Sequence, residues 1–156
     1  MTTTGDEIQI VCFRVGTQEF GLNVFQVERI LRYERPNALP KAPDFLEGVV
    51  TFEGGSVPVV DLRKRLSLAS ELAEDTRMMI LDLDGHRVGI VVDQVLDVAR
   101  VDGGAITAPP PLVRGLAAEY ISGLLPREGG RTVVILNAGR LLSSKERLAL
   151  KSVGAA

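Results

Sequence analysis

The sequence predicts an all-β protein that contains two copies of one structural unit. First, most apolar runs have four to six residues, are rich in Val and Ile, and stop at Gly, Asp or Pro, which is typical of strands. Second, two blocks of sequence recur in the same order along the chain. Third, segments with a helical period are scarce.

The apolar runs predict a series of short strands with little helix between them. After Val60, the run DLRKRL contains one helical turn with Asp61 as its cap. The tail SSKERLALKSV has a capping box formed by Ser143 and Glu146, so a C-terminal helix is expected at 144–151. Strands are expected at 8–15, 19–24, 27–32, 49–52, 57–60, 78–83, 88–92, 95–101, 121–125 and 133–136.

The repeat becomes visible when the chain is aligned with itself. The block FRVGTQEFGLNVFQVERI aligns with LDLDGHRVGIVVDQVLDV, which places Gly21 over Gly89. Further on, FLEGVVTFEGG aligns with YISGLLPREGG, which places Gly48 over Gly123. The connector between the blocks is longer in the second copy. Ordered matches of this kind predict a duplicated β unit.

The duplication predicts a single domain at 7–150 with two lobes. The first lobe is expected at about 16–80 and the second at about 84–142, and the sequence leaves open which lobe the N-terminal strand joins. Because each copy alone has a small core, the lobes are expected to pack together.

The recurring EGG motif predicts a hairpin bend in each lobe. Gly54 and its counterpart Gly129 accept a positive φ without a Cβ clash, so Gly54 is assigned a structural role. A phosphate-binding loop would need a longer glycine-rich segment, a Lys and a helix directly after it. The motif lacks all three.

Composition argues against several classes of partner. The net charge of -2 and pI near 5.5 provide no overall basic field for nucleic acid, and the basic residues near Arg29 and Arg63 are interpreted as solvated charge or protein contacts. The N-terminal residues do not predict a signal peptide and no apolar run approaches ~20 residues, so a cytoplasmic protein without membrane insertion is expected. Cys12 is interpreted as a buried hydrophobe.

No group of residues predicts catalysis. His86 is the only histidine and occupies a predicted turn, so a metal site or a Cys-His pair is not expected. Asp82 and Asp84 begin a pattern like a calcium loop but lack its continuation. No serine lies in a nucleophile elbow. The residues therefore predict no enzymatic site.

Several ordered motifs over about 7–150 resemble one family. They are EFGLNVFQVERI, APDFLEGVVTFEGGSVPVVDLRKRL, RVGIVVDQVLDV, EYISGLL and TVVILNAGRLLSSKE. Together they are similar to the CheW family of chemotaxis coupling proteins. The resemblance implies two intertwined five-stranded SH3-like barrels with a short C-terminal helix. It also implies an adaptor without catalytic activity or cofactor. This adaptor joins the cytoplasmic hairpins of methyl-accepting chemoreceptors to the regulatory domain of a CheA-type histidine kinase.

The resemblance also implies functions for particular residues. Val27 and Gly89 are expected near a receptor-facing groove, and Gly48 and Gly123 in turns near kinase-facing surfaces. Purely structural functions stay open for all four, since glycines can serve backbone geometry and Val27 can belong to the core.

One departure from the family pattern reverses two charges. The family has N-L-R-G where this chain has TFEG, and a carboxylate where it has Arg29. We hypothesise that Arg29 and Glu53 keep an ion pair of swapped polarity beside the receptor surface. Asp61 and Arg63 also match the family pattern, with Asp61 as a cap and Arg63 directed at a partner or the other lobe.

Two other functions remain open at this point. A protein of the same family could act as a scaffold in another pathway, such as surface motility or gene regulation. A small β-barrel enzyme or ligand-binding protein would need a deep polar pocket with convergent titratable groups.

Overall fold

Two five-stranded sheets make up most of the described protein. The computed structural model describes residues 7–42, 46–65, 71–108 and 120–142. All the predicted strands are present, with ends that differ by up to three residues, and a short helix, α1 (Leu62–Arg65), follows the fifth. The helix expected at 144–151 lies outside the described residues. The strands are β1 (Glu7–Val15), β2 (Gln18–Asn23), β3 (Val27–Arg32), β4 (Leu46–Phe52), β5 (Gly55–Asp61), β6 (Arg77–Leu83), β7 (His86–Val92), β8 (Gln94–Asp102), β9 (Ile121–Pro126) and β10 (Thr132–Leu136).

The two sheets have equivalent topologies. The first has the strand order β8-β1-β2-β10-β9 and the second has the order β3-β6-β7-β5-β4. Strands β1 to β5 therefore correspond to β6 to β10, and the parallel pair of β2 with β10 corresponds to that of β7 with β5. The predicted all-β class and the intertwining of two five-stranded units are confirmed.

Each repeat contributes strands to both sheets, so the division into sheets differs from the division into repeats. The N-terminal strand β1 pairs with β2 and β8, whereas β3 to β7 form the second sheet. The ranges 16–80 and 84–142 therefore do not coincide with the two sheets. The apolar pattern of a strand specifies its faces, but it does not specify which sheet the strand joins.

The chain crosses between the sheets at two equivalent points, from β2 to β3 and from β7 to β8. At the first, the side chain of Asn23 accepts a hydrogen bond from the Phe25 amide at 2.9 Å in a short 3-10 turn. At the second, the Asp93 amide donates to the Arg14 carbonyl at 2.9 Å, and its carboxylate accepts from the Gly16 amide at 2.6 Å. We call β3 and β8 the crossover strands.

A large core lies between the two sheets and is shared by them. In β1, Val11, Phe13 and Val15 face this core, whereas Ile10 and Cys12 face a smaller core within the first sheet. Side chains of successive strand residues point to opposite faces, so β1 is buried on both. This explains why the run IQIVCFRV is almost continuously apolar instead of alternating.

The second sheet repeats this arrangement. Met79 and Leu81 of β6 face the shared core, whereas Met78 and Ile80 face a smaller core of the second sheet. Cys12 in the first sheet is fully buried, as predicted, and burial is the main cause that raises the pKa of its thiol.

Tight turns join the antiparallel hairpins as the glycine motifs predict. Glu53 and Gly54 have φ values of 49° and 80° between β4 and β5, and Asp84 and Gly85 have 54° and 86° between β6 and β7. Two consecutive positive φ values are typical of the two-residue turn that matches strand twist. Within the described ranges, no helix is long and apolar enough to cross a membrane.

Candidate functional site

The crossover strands are the most exposed strands of the sheets. Each lies at the end of its sheet and pairs with one neighbour, β3 with β6 and β8 with β1. Both contain an irregularity at the same point of the repeat, where Glu28 and Leu96 are the extra residues. Bulges turn side chains of an edge strand in new directions and are common next to binding sites.

Large apolar side chains are exposed on and beside the crossover strands. Ile30 on β3 is 39% exposed, and Leu96 and Val98 on β8 are 37% and 54% exposed. Phe25, in the turn that leads to β3, is 89% exposed. By contrast, Val27 is half-buried and packs on the shared core. Exposed apolar residues in a group mark surfaces that contact other molecules.

The two residues of the proposed ion pair do approach each other. The Nη2 atom of Arg29 lies 3.8 Å from an Oε2 atom of Glu53. The guanidinium carbon of Arg29 also lies 5.6 Å from the ring centre of Phe52, within the range of a cation–π contact. Among the residues that the structure describes, the Arg29 guanidinium donates no hydrogen bond.

Arg87 is the closer partner of Glu53, and the sequence did not indicate it. Its Nη2 atom donates to Glu53 at 2.9 Å, its Nε atom donates to Glu28 at 3.0 Å, and its guanidinium carbon lies 5.2 Å from the Phe52 ring centre. The hydrogen bond to Glu28, followed by the charges of both carboxylates, raises the pKa of Arg87. We call Arg29, Arg87, Glu28, Glu53 and Phe52 the β3 charge cluster.

Ion pairs also lie at the corresponding place beside β8. On β8, the Asp97 carboxylate lies 3.5 Å from Nη1 of Arg127. Glu19 on β2 accepts two hydrogen bonds from the guanidinium of Arg131, which lowers the pKa of Glu19. Charged residues therefore flank both crossover strands.

Gly48 and Gly123 occupy equivalent crowded positions within strands β4 and β9, and not in turns as expected. Gly48 has a φ of 150°, and a Cβ atom there would lie 2.4 Å from the carbonyl oxygen of Asn37. At Gly123 a Cβ atom would lie 2.5 Å from Ile106 and 3.0 Å from the carbonyl oxygen of Thr107. Next to each glycine, a single β-bridge joins the same connecting segments to the sheet. Both glycines therefore permit a close backbone approach.

Gly89 is buried in the middle of the second sheet. It lies opposite Ile80 of β6 and Val59 of β5, and a Cβ atom there would make ordinary van der Waals contacts of 3.4–3.6 Å. Because β3 pairs with β6, Gly89 lies two strands away from β3. An effect of Gly89 on a partner would have to act through the sheet.

Asp61 and Arg63 bind each other. The carboxylate of Asp61 accepts hydrogen bonds from the amide, the Nε atom and the Nη2 atom of Arg63, each at 2.9 Å. This confirms Asp61 as the cap of α1. The hydrogen bond to Asp61 raises the pKa of Arg63, and the charge of Asp93, at the β7–β8 crossing, adds to this effect. Arg63 therefore points back at its own cap.

The sequence reasoning missed the exposed apolar residues and Arg87. One signal was available: the repeat alignment that places Gly21 over Gly89 also places Ile30 over Val98, two apolar residues in strands with charged neighbours. For Arg87 there was no local signal, because its partners come from β3 and from the β4–β5 turn. Within the described ranges, no three His, Cys, Asp or Glu side chains converge as a metal site would require.

Comparisons with known proteins agree over nearly the whole chain. A family model described as CheW-like domain matches residues 9–146. The chemotaxis protein CheW of Klebsiella aerogenes is 33% identical, over 97% of this chain and 90% of that protein. Protein FrzA of Myxococcus xanthus is 32% identical, over 92% and 91%. The crystal structure of the scaffolding protein TtCheW of Thermoanaerobacter tengcongensis superposes with a TM-score of 0.81 at 25% identity, over 94% of this chain and 92% of that one.

Proposed function

Because the chain belongs to the family of CheW-like domains, whose members are scaffolding adaptors and not enzymes, we propose that it couples chemoreceptors to a histidine kinase. It binds the cytoplasmic helical hairpin of a methyl-accepting receptor and the regulatory domain of a CheA-type kinase. It therefore acts in the cytoplasm, at membrane-bound receptor arrays.

The observation that carries the receptor part of this proposal is the exposed apolar surface of the crossover strands. Ile30, Leu96 and Val98 are too exposed to stabilise the fold greatly, yet they lie beside half-buried Val27 and the ion pairs of both repeats. An apolar centre with a charged rim suits an amphipathic helix. Gly89 lies two strands from β3, so its contribution to receptor binding is transmitted through β6.

Gly48 and Gly123 support the kinase part of the proposal. Each allows a connecting segment to lie directly against an edge strand, β4 or β9, at equivalent places in the two repeats. A side chain at either glycine would push this segment outwards and change the shape of the edge. We therefore propose that the two edges contact the kinase regulatory domain and that the glycines set their shape.

Substitution of the exposed apolar residues tests the proposed function. We expect Ile30→Asp and Val98→Asp to weaken binding of the full chain to a receptor hairpin by tenfold or more, since each buries a charge at the apolar centre. Binding to the kinase regulatory domain should stay unchanged. Isothermal titration measures both affinities.

Leu72→Asp is the matched control for these variants. Leu72 is 54% exposed but lies outside both crossover strands. If Ile30→Asp binds the hairpin as well as Leu72→Asp does, or if the unmodified chain binds neither partner, the proposed function is wrong.

Charge reversal in the β3 charge cluster tests the ion-pair hypothesis. We expect Arg29→Glu and Glu53→Arg each to weaken receptor binding several-fold, with Glu53→Arg the worse because it also faces Arg87. The double swap should recover part of the loss. Stability should change by only ~0 to 1 kcal/mol, since the pair is exposed.

A double variant no better than either single variant would contradict the pairing. A receptor hairpin with compensating charge should bind the unmodified chain more tightly than one with the opposite charge pattern, and the difference should shrink in high salt. A difference that does not depend on salt would assign the preference to shape instead of charge.

A scaffold function in a pathway other than chemotaxis is the second candidate. Protein FrzA is about as similar to this chain as the CheW protein of Klebsiella aerogenes, and its name does not mention chemotaxis. The same scaffold could therefore couple a related kinase in a different pathway. A pulldown from the source cells separates the two, because the receptors and kinase recovered with the chain identify the pathway.

A further inference from the structure

The correspondence of the repeats exchanges the two crossover strands, which is the relation that an approximate two-fold axis produces. The correspondence of the repeats carries strands of the first sheet onto the second and strands of the second onto the first, and it exchanges β3 with β8. An operation that exchanges two halves of one molecule in this way is a two-fold rotation. Val27 and Val95, equivalent residues of the two strands, both pack on the shared core.

Residues at equivalent positions can be read from the strand register. Ile80 lies opposite both Gly89 and Arg29, and in the other repeat Cys12 lies opposite both Gly21 and Asp97. Arg29 of β3 is therefore equivalent to Asp97 of β8.

The next positions on the two strands are Ile30 and Val98, which are both apolar and exposed. The surface thus has symmetric apolar contacts and opposite charges.

A helix that lies across a two-fold axis can be turned end to end without losing its symmetric contacts. In the reversed direction, the end of the helix that contacted Ile30 would contact Val98, and the other end would contact Ile30. Because both residues are apolar and exposed, they discriminate weakly between the two directions. The two ends of the helix would also exchange their contacts with Arg29 and Asp97, and these two residues have opposite charges. This pair can therefore distinguish one direction of the helix from the other.

We propose that Arg29 and Asp97 determine the direction in which an amphipathic helical hairpin lies across β3 and β8. This inference rests on the proposed function. The preferred direction places a carboxylate of the helix beside Arg29 and a cation beside Asp97. The reversed direction brings like charges together at both ends.

The guanidinium of Arg29 is exposed and positioned to bind a carboxylate. Its side chain is 55% exposed, its guanidinium is held over the Phe52 ring, and within the described residues its donors make no hydrogen bond. A guanidinium with free donors binds a carboxylate in a two-point geometry, and holding it in place reduces the entropy lost on binding. Asp97 is 45% exposed at 3.5 Å from Arg127, so its carboxylate can still accept hydrogen bonds from a partner.

Other differences between the strands must be separated from this charge difference. Phe25 is 89% exposed, whereas the equivalent residue Asp93 is buried. At the bulges, Glu28 corresponds to Leu96. By contrast, Arg32 and Arg100 occupy equivalent positions on the two strands with the same residue, and both are exposed. The chain therefore offers a symmetric control.

The direction can be measured with a spin label. The full chain, labelled with ¹⁵N, is mixed with a soluble cytoplasmic hairpin fragment of a methyl-accepting chemoreceptor that has one nitroxide near its tip. We expect the nitroxide to broaden the amide signals of one crossover strand, with a preference of about tenfold, or ~1.4 kcal/mol, for one direction. The variant Arg29→Asp/Asp97→Arg should reverse this preference, and the milder Arg29→Gln/Asp97→Asn should equalise it.

The control Arg32→Gln/Arg100→Gln should keep the preference while weakening both directions equally. A preference that survives in the two Arg29/Asp97 variants overturns the inference, as does one that disappears in Phe25→Ala. If those variants remain folded by thermal unfolding but lose all binding, the inference is also wrong. Failure of the unmodified chain to bind the hairpin instead refutes the proposed function, and the inference with it.

Discussion

Gly48→Ala is expected to lower the free energy of unfolding by about 3 kcal/mol. A Cβ atom at Gly48 would lie 2.4 Å from the Asn37 carbonyl oxygen, and the φ of 150° is one that L residues rarely adopt. Backbone strain and overpacking each cost about 1–3 kcal/mol. The segment through Asn37 must move away, and it then loses both hydrogen bonds to Val49. Urea unfolding followed by far-UV circular dichroism measures the change.

Gly55→Ala, seven residues further along the same hairpin, is the matched control. A Cβ atom there would lie 3.8 Å from its nearest neighbour, the Phe52 carbonyl oxygen, so the change should stay within about 0.5 kcal/mol. Equal stability of the two variants would show that the edge relaxes freely around Gly48. A stable Gly48→Ala variant that no longer binds the kinase domain would assign Gly48 directly to that interface.

Phe13→Ala and Leu81→Ala are expected to destabilise one and the same unfolding transition. Both side chains are fully buried in the shared core, Phe13 from the first sheet and Leu81 from the second. Truncation of a buried Phe or Leu to Ala costs about 2–5 kcal/mol. Because neither sheet can keep this core without the other, the whole domain should unfold together, with a fall in Tm on the order of 10 °C.

Scanning calorimetry checks this prediction through the ratio of calorimetric to van't Hoff enthalpy, which should remain near one. Ile80→Val is the control, because Ile80 is next to Leu81 but faces the smaller core of the second sheet, and the change should cost only about 1 kcal/mol. Two separate transitions, of which each variant moves only one, would mean that the sheets are independent.

The strands could be predicted from the sequence because their signals are local. The runs IQIVCFRV and RMMILDL are apolar on both faces and stop at turn residues, and both form strands with nearly the expected ends. The largest error is the start of β4, which begins three residues before the predicted position at Val49. The register shifts there between Leu46 and Gly48, and a bulge leaves no simple period in the sequence.

The candidate site was only partly predictable for a related reason. Arg29 and Glu53 were paired by resemblance to the family, and their charged groups lie 3.8 Å apart. Arg87 escaped notice because it reaches Glu28 and Glu53 from a strand that is distant in sequence from both. Ile30 and Val98 could not be distinguished from buried strand residues in the sequence. The exposed fraction of a strand side chain depends on which other elements pack on that strand.

Sequence alone determined the all-β class, the turn glycines and the cap at Asp61, because each depends on the conformational preferences of a few consecutive residues. It also determined the duplication, because the two copies keep matching residues in the same order. Only the tertiary structure decided that the chain passes from one sheet to the other at β3 and at β8. It also decided which side chains these strands expose and that opposite charges occupy equivalent places on them. These features depend on contacts between segments far apart in the chain. The energy of such contacts is not encoded in the pattern of either segment.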